Sequence, residues 1–288
     1  MFQGAYTAIV TPFDRKGEVD YRTLARLVER QIKAGIDGIV PVGTTGESPT
    51  LDYNEHRKVI ETCVETAKKR TKIIAGTGAN STREAVELTR FAAEVGADAT
   101  LQVVPYYNKP SQEGLARHFL EVADIGLPVV LYNIPGRTGV EIAADTVARL
   151  ARHPKIRTLK EAGGSVQRVS QILDRCDICV LSGDDPLTLP MMAVGARGVI
   201  SVASNIVPGV VVEMAHAALD GEWEKARRLH KKYFRLYTDI FLETNPVPVK
   251  AAMAMLGLIE EVYRLPLCPM NRTLRGKLAD TLKSLGIK

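Results

Sequence analysis

Lys160 and Tyr132 are the residues whose types and settings could do covalent chemistry. Lys160 closes the run Ile156-Arg157-Thr158-Leu159-Lys160, which reads as a buried strand ending on an amine. Burial disfavours the ammonium form, and a neutral amine is what a Schiff-base nucleophile must be. Tyr132 stands near the end of a second run, Leu127-Pro128-Val129-Val130-Leu131-Tyr132-Asn133. A phenol there can shuttle protons for the amine, and in a parallel sheet the two strands would be neighbours. Together they suggest imine chemistry on a carbonyl substrate. Taken singly, each has a plainer reading: a lysine that snorkels to solvent or pairs with Glu161, and a core phenol with one hydrogen bond.

Further polar and glycine-rich segments surround these two. In Gly43-Thr44-Thr45-Gly46-Glu47 the glycines allow close backbone approach to a ligand, while two hydroxyls point inward. Such a turn can cradle an anion, a phosphate or equally a carboxylate, but no Walker-type lysine follows it. Arg137, in Pro135-Gly136-Arg137-Thr138-Gly139, offers a guanidinium suited to bidentate binding of a carboxylate. Tyr106 and Tyr107 follow an apolar run and are too polar at the tip for simple core packing.

These segments need elements to hold them. Short β-branched runs at 5–10, 38–42, 72–76, 99–104, 129–132, 157–160, 178–182 and 198–202 predict strands. Amphipathic patterns between them predict helices at 21–33, 54–69, 82–95, 112–122, 144–151, 166–175, 187–194 and 208–219. Eight alternating units predict an α/β fold, a closed (β/α)8 TIM barrel over 1–220. Residues 221–288 are expected to form a C-terminal extension that is helical throughout, with helices at 222–237 and, after Pro246-Val247-Pro248, at 247–256. The unusual residues all fall after strands, where barrel enzymes build their sites, and the opposite loops are plainer. That asymmetry favours an enzyme.

Composition narrows the class. With 45% hydrophobic and 25% charged residues, the chain has the make-up of a globular protein, and no apolar run approaches the roughly 18 residues that span a bilayer. The start, Met1-Phe2-Gln3-Gly4, lacks the basic and apolar regions of a signal peptide, so a cytoplasmic protein is expected. The net charge of +5 is modest, and clusters such as Lys68-Lys69-Arg70 read as solvated helix faces, so nucleic-acid binding is not expected. Cys176 and Cys179 form a single C-x-x-C with no second pair or nearby histidine, which reads as structural rather than redox or zinc-binding. The helical histidines show no mutual spacing suited to a metal.

Three segments in order, Gly43-Thr44-Thr45-Gly46-Glu47-Ser48, Tyr132-Asn133-Ile134-Pro135-Gly136-Arg137-Thr138-Gly139 and Leu159-Lys160-Glu161-Ala162, closely resemble the dihydrodipicolinate synthase family. These are pyruvate-dependent class I aldolases related to N-acetylneuraminate lyase, and the resemblance runs from Gly4-Ala5 through the C-terminus. Thr44-Thr45 is the pair usual in the synthases, where sialic-acid lyases tend to carry Ser-Thr. Small departures are Thr158, where a smaller residue is common, and Gly163, where Ser or Thr is frequent.

The resemblance implies a mechanism and its residues. Lys160 would form an imine with pyruvate, and Tyr132 would move protons, linked through Thr44 to Tyr107 reaching in from a neighbouring subunit. Thr45 and the backbone at Gly183 and Ile200 would hold pyruvate, and Arg137 would clamp the carboxylate of L-aspartate 4-semialdehyde. No metal or organic cofactor is implied. A homotetramer built from tight dimers is expected, with a feedback site for L-lysine at the dimer interface formed by Ser48, Pro49, Tyr53, His56, Asn80, Glu84 and Tyr106. There Glu84 would receive the ligand ammonium, although Pro49 and Tyr53 depart from one common pattern. Competing readings are another pyruvate-dependent aldolase acting on N-acetylneuraminate or a keto-deoxy sugar acid, and a non-catalytic barrel that binds a keto acid or lysine. Gly163-Gly164 and Ala203 look too plain for a hydroxylated sugar, and the presence of both Lys160 and Tyr132 argues against an inert barrel.

Overall fold

The computed structural model describes residues 2–287. Eight short strands, β1 (Gly4–Ala8), β2 (Gly38–Val40), β3 (Lys72–Gly76), β4 (Ala99–Val103), β5 (Val129–Asn133), β6 (Ile156–Glu161), β7 (Cys179–Ser182) and β8 (Gly198–Ser201), pair in sequence order. Every pairing is parallel, and β8 returns to β1 to close the barrel. The helices are α1 (Tyr21–Lys33), α2 (Tyr53–Ala67), α3 (Thr82–Glu94), α4 (Gln112–Ala123), α5 (Pro135–Thr138) and α6 (Ala144–Leu150). They continue with α7 (Val166–Leu173), α8 (Thr188–Ala193), α9 (Pro208–Leu219), α10 (Trp223–Asp239), α11 (Val247–Met255) and α12 (Arg272–Ser284).

The strands are buried on both faces, as a parallel sheet wrapped in helices must be. Within them only Lys72 and Arg157 are exposed. Side chains alternate between two cores, following the period of two along a strand. Tyr6, Ala8, Val40, Ile74, Leu101, Val130, Tyr132, Leu181 and Ile200 fill the barrel. Their chain neighbours, among them Ile39, Ile73, Leu131, Leu159, Val180 and Val199, pack against the helices. With Leu159 facing outward, the same alternation turns Lys160 inward.

Local chemistry sets the helix starts. Asp52 accepts hydrogen bonds from the backbone N–H groups of Asn54 and Glu55, and Glu55 accepts from the N–H of Asp52 at 3.0 Å. This reciprocal cap fixes where α2 begins after the 43–50 segment, and such caps contribute about 1 kcal/mol each.

Two expectations are corrected. The strand expected at 38–42 stops at Val40, because Pro41 has no N–H to donate and Val42 turns to φ 54°. The C-terminal segment is not helical throughout: residues 240–246 and 256–271 lie outside helices α10, α11 and α12. Pro246, Gly257, Pro266 and Pro269 fall in those stretches and cannot sustain a helix interior. Arg137 itself is carried on the single helical turn α5.

Candidate active site

Strands β5 and β6 pair with Tyr132 opposite Lys160, so the two inward side chains meet on the barrel wall. The Lys160 amine lies 4.1 Å from the centroid of the Tyr132 ring, and both residues are buried. Glu161 does not neutralise the lysine. It points to the opposite face, where its carboxylate accepts from Arg168 Nε at 2.8 Å, Asn133 Nδ2 at 2.9 Å and the N–H of Gly163 at 2.7 Å. The pairing with Glu161 weighed from sequence is therefore excluded by strand alternation. Gly183 makes room for the lysine: a Cβ there would lie 2.8 Å from Lys160 Cε and 2.8 Å from the Ala162 Cβ.

A cleft of about 240 Å³ opens beside this pair. Thr44, Tyr132, Ile134 and Arg137 line it with Leu101, Val103 and Tyr106. Its glycine-lined wall is close-packed backbone. A Cβ at Gly76 would stand 2.3 Å from the Val42 carbonyl oxygen, and one at Gly78 would stand 2.4 Å from the Val103 nitrogen. Val42, a β-branched residue at φ 54°, is a conformational outlier just ahead of the Thr44-Thr45 pair. Strain of this kind persists only where the surrounding packing over-determines it.

Thr45 does not line the cleft with Thr44, and neither do Lys160, Gly183 and Ile200. Thr45 is buried, and its Oγ1 accepts a hydrogen bond from Asn245 Nδ2 at 3.0 Å. Arg137, carried on α5, donates from Nη2 to the Asn245 carbonyl at 2.9 Å. Glu47, at φ 55°, pairs with Lys250 of α11, and both side chains are fully buried. The Lys250 amine lies 4.2 Å from the Phe13 ring centroid. Burial pulls its pKa below the usual lysine value, against the attraction of Glu47. Ile200 is wholly buried in the inner layer with Tyr132.

Tyr107 stands apart. It is 90% exposed at φ 73° and does not reach the cleft of its own chain.

A second cavity of about 240 Å³ adjoins the first and shares Ser48, Pro49, Gly78 and Tyr106 with it. Tyr53, His56 and Glu84 complete its expected residues. Asn80 does not line this cavity; its Nδ2 donates to the Tyr106 carbonyl at 3.3 Å. His56 donates from Nε2 to the Gly76 carbonyl at 2.7 Å, and burial lowers its pKa.

Asn245, Lys250 and the partners of Glu161 were not anticipated from sequence. Glu47 belongs to a recognisable turn motif, but nothing in the order of residues says that a lysine two hundred positions later will meet it. All four cysteines are free. Among the described residues no group of three His, Cys, Asp or Glu side chains could hold a metal ion, and no helix is long and apolar enough to cross a membrane.

A buried strand-end lysine over a tyrosine ring, beside a cleft in a (β/α)8 barrel, defines an enzyme of the lysine-dependent lyase class. Comparison with known proteins narrows this. Residues 1–285 match the dihydrodipicolinate synthetase family. A 4-hydroxy-tetrahydrodipicolinate synthase of Thermodesulfovibrio yellowstonii is 53% identical, covering 100% of this chain and 99% of its own. The crystal structure of dihydrodipicolinate synthase from Acinetobacter baumannii complexed with pyruvate superposes with a TM-score of 0.98 at 46% identity, covering both chains fully. That from Cyanidioschyzon merolae with lysine bound gives 0.96 at 40% identity, covering 100% of this chain and 99% of the other. The chain belongs to the dihydrodipicolinate synthetase family. Its activity is that of the 4-hydroxy-tetrahydrodipicolinate synthases, lyases of lysine biosynthesis.

Proposed function

We propose that the chain condenses pyruvate with L-aspartate 4-semialdehyde through an imine on Lys160. The amine of Lys160 attacks the ketone carbon, and loss of water leaves the imine, which acts as an electron sink. Loss of a methyl proton gives the enamine, whose carbon attacks the aldehyde. The amino group of the semialdehyde then attacks the imine carbon, closes the ring and releases Lys160. Tyr132 carries the protons for these steps, relayed through Thr44 to a Tyr107 supplied by a second subunit. Thr45 and the backbone at Gly183 and Ile200 hold pyruvate, and Arg137 holds the carboxylate of the semialdehyde.

The observation that carries this reading is the Lys160 amine 4.1 Å from the centroid of the Tyr132 ring, with Tyr132 on the wall of the cleft. The complex of the Acinetobacter relative with pyruvate supports the substrate. The 90% exposure of Tyr107 suits a residue that works in a partner's site; in this reading the assembly is a homotetramer built from such dimers. The second cavity, with Glu84 on its wall, suits L-lysine as a feedback inhibitor, as does the lysine bound in the Cyanidioschyzon relative. In this reading Glu84 takes the lysine ammonium, Asn80 acts by orienting Tyr106, and the enzyme works in the cytoplasm.

Borohydride reduction in the presence of pyruvate tests the core of the proposal. A stable adduct is expected on Lys160 and none on Lys160→Ala, whose condensation rate should fall to background. An adduct that persists on another lysine would sink the assignment.

A further inference from the structure

Two residues of the C-terminal segment reach the turn that carries Thr45. Asn245, just before α11, donates from Nδ2 to Thr45 Oγ1 at 3.0 Å. Lys250, within α11, pairs with Glu47 and also donates to the Thr11 carbonyl at 3.3 Å. Thr11 in turn donates from Oγ1 to the Gly46 carbonyl at 2.6 Å. Thr45 is thus held from the side by an amide, and Gly46 and Glu47 are held from beneath by groups that Lys250 joins. Thr45, Glu47, Asn245 and Lys250 are all buried.

A hydroxyl has one proton and two lone pairs. An amide N–H on one lone pair leaves the Thr45 proton free to be given to a substrate carboxylate. The Lys250–Glu47 pair answers a different need. Taking both charges out of water costs about what their attraction returns, so stability alone does not account for the pair. It does select one geometry for Glu47, which at φ 55° occupies a conformation that residues other than glycine resist.

We infer that Asn245 and Lys250 are positioning residues for pyruvate, aiming the hydroxyl proton of Thr45 at the substrate carboxylate. The C-terminal segment is then part of the pyruvate site and not a cover on the barrel. This rests on the assignment of Thr45 to pyruvate above. The structure contains its own control: Arg137 binds the backbone carbonyl of Asn245, which side-chain substitution leaves in place. Asn245 variants should therefore disturb pyruvate and spare the semialdehyde.

The test compares wild type, Asn245→Ala, Asn245→Asp, Thr45→Val, the Thr45→Val/Asn245→Ala pair and the double variant Glu47→Gln/Lys250→Met. Both KM values, the pyruvate dependence of borohydride inactivation and the melting temperature are measured. Asn245→Ala should raise the pyruvate KM by about tenfold, the scale of one hydrogen bond, with the semialdehyde KM changed by less than about twofold. Added to Thr45→Val it should cost nothing further, because the two act as one unit. Asn245→Asp should lose more than Asn245→Ala, since its carboxylate takes the Thr45 proton for itself. The double variant should melt near wild type yet need more pyruvate.

Wild-type pyruvate KM in both Asn245 variants, or an equal rise in both KM values, would overturn the inference. So would an Asn245→Asp enzyme that binds pyruvate normally, since Thr45 would then already donate to residue 245. If Asn245→Ala does not fold, the near-isosteric Asn245→Asp carries the decision. Failure of the underlying assignment has a separate signature: Thr45→Val would itself bind pyruvate normally, or wild type would resist inactivation by borohydride with pyruvate.

Discussion

At the scale of single residues, the chemistry of Lys160 is decided by the residue across the strand and not by its neighbour in the chain. Glu161 is next in sequence but faces Arg168, while Tyr132, from the adjacent strand, supplies the ring beneath the amine. Gly183 shows how narrow the tolerance is. Gly183→Ala would place a Cβ 2.8 Å from Lys160 Cε, closer than real Cβ contacts come, so the lysine must shift. Relief to an ordinary contact moves the lysine by roughly half an ångström, and since a misplacement of about 1 Å costs about 100-fold, kcat/KM is expected to fall by about tenfold. Overpacking at one site costs about 1–3 kcal/mol, so the fold should survive. Steady-state kinetics with a melting curve check this, and full activity would mean that the lysine does not need that space. Lys160, Tyr132 and Thr44 were legible as residue types in a pattern. The reason for Gly183 was not, because it depends on the distance between β6 and β7.

At the scale of elements, helices α3 and α4 are joined by a histidine that burial keeps neutral. His118 on α4 is hydrogen-bonded through Nδ1 to Thr82 Oγ1 of α3 at 2.9 Å, and its Nε2 is buried without a partner. Burial drives its pKa down to about 4. The unfolded chain takes up the proton below about pH 6.5, while the folded chain refuses it until about pH 4. A depressed folded value means that the stabilisation is present above the unfolded pKa and is lost as pH falls. Between those limits wild type should lose about 3 kcal/mol relative to His118→Gln, read from urea unfolding at successive pH values. A constant difference across that range would show that His118 titrates normally in the fold. At this scale the helices at 21–33 and 208–219 are as the apolar spacing and flanking residues require. The early end of β2 and the breaks in the C-terminal segment depend on prolines and on backbone geometry that periodicity does not capture.

At the scale of the whole molecule, Tyr107 tests the proposed assembly. Its ring is 90% exposed on its own chain, so a role in the proton relay requires a second copy. Tyr107→Phe should lower kcat by about 100-fold, within the range of lost general acid–base catalysis. Co-expression with Lys160→Ala subunits should then restore activity. In a mixed dimer one site has an intact Lys160 together with the partner's intact tyrosine. No restoration in purified mixed assemblies would confine Tyr107 to its own chain or remove it from the mechanism.

The order of amino acids is enough to specify the alternation of strands and helices, and with it the barrel. It also specifies which residues stand at strand ends with reactive or anion-binding groups. These are local properties, written in side-chain type and in periods of two and of about four. Packing in three dimensions was needed to establish that Lys160 faces Tyr132 while Glu161 faces away, that the buried Thr45 accepts from Asn245, and that Lys250 closes on the 43–47 turn. Those relations join residues far apart in the chain. They arise from strand register, barrel closure and the return of α11 to the mouth of the barrel, none of which has a local signal.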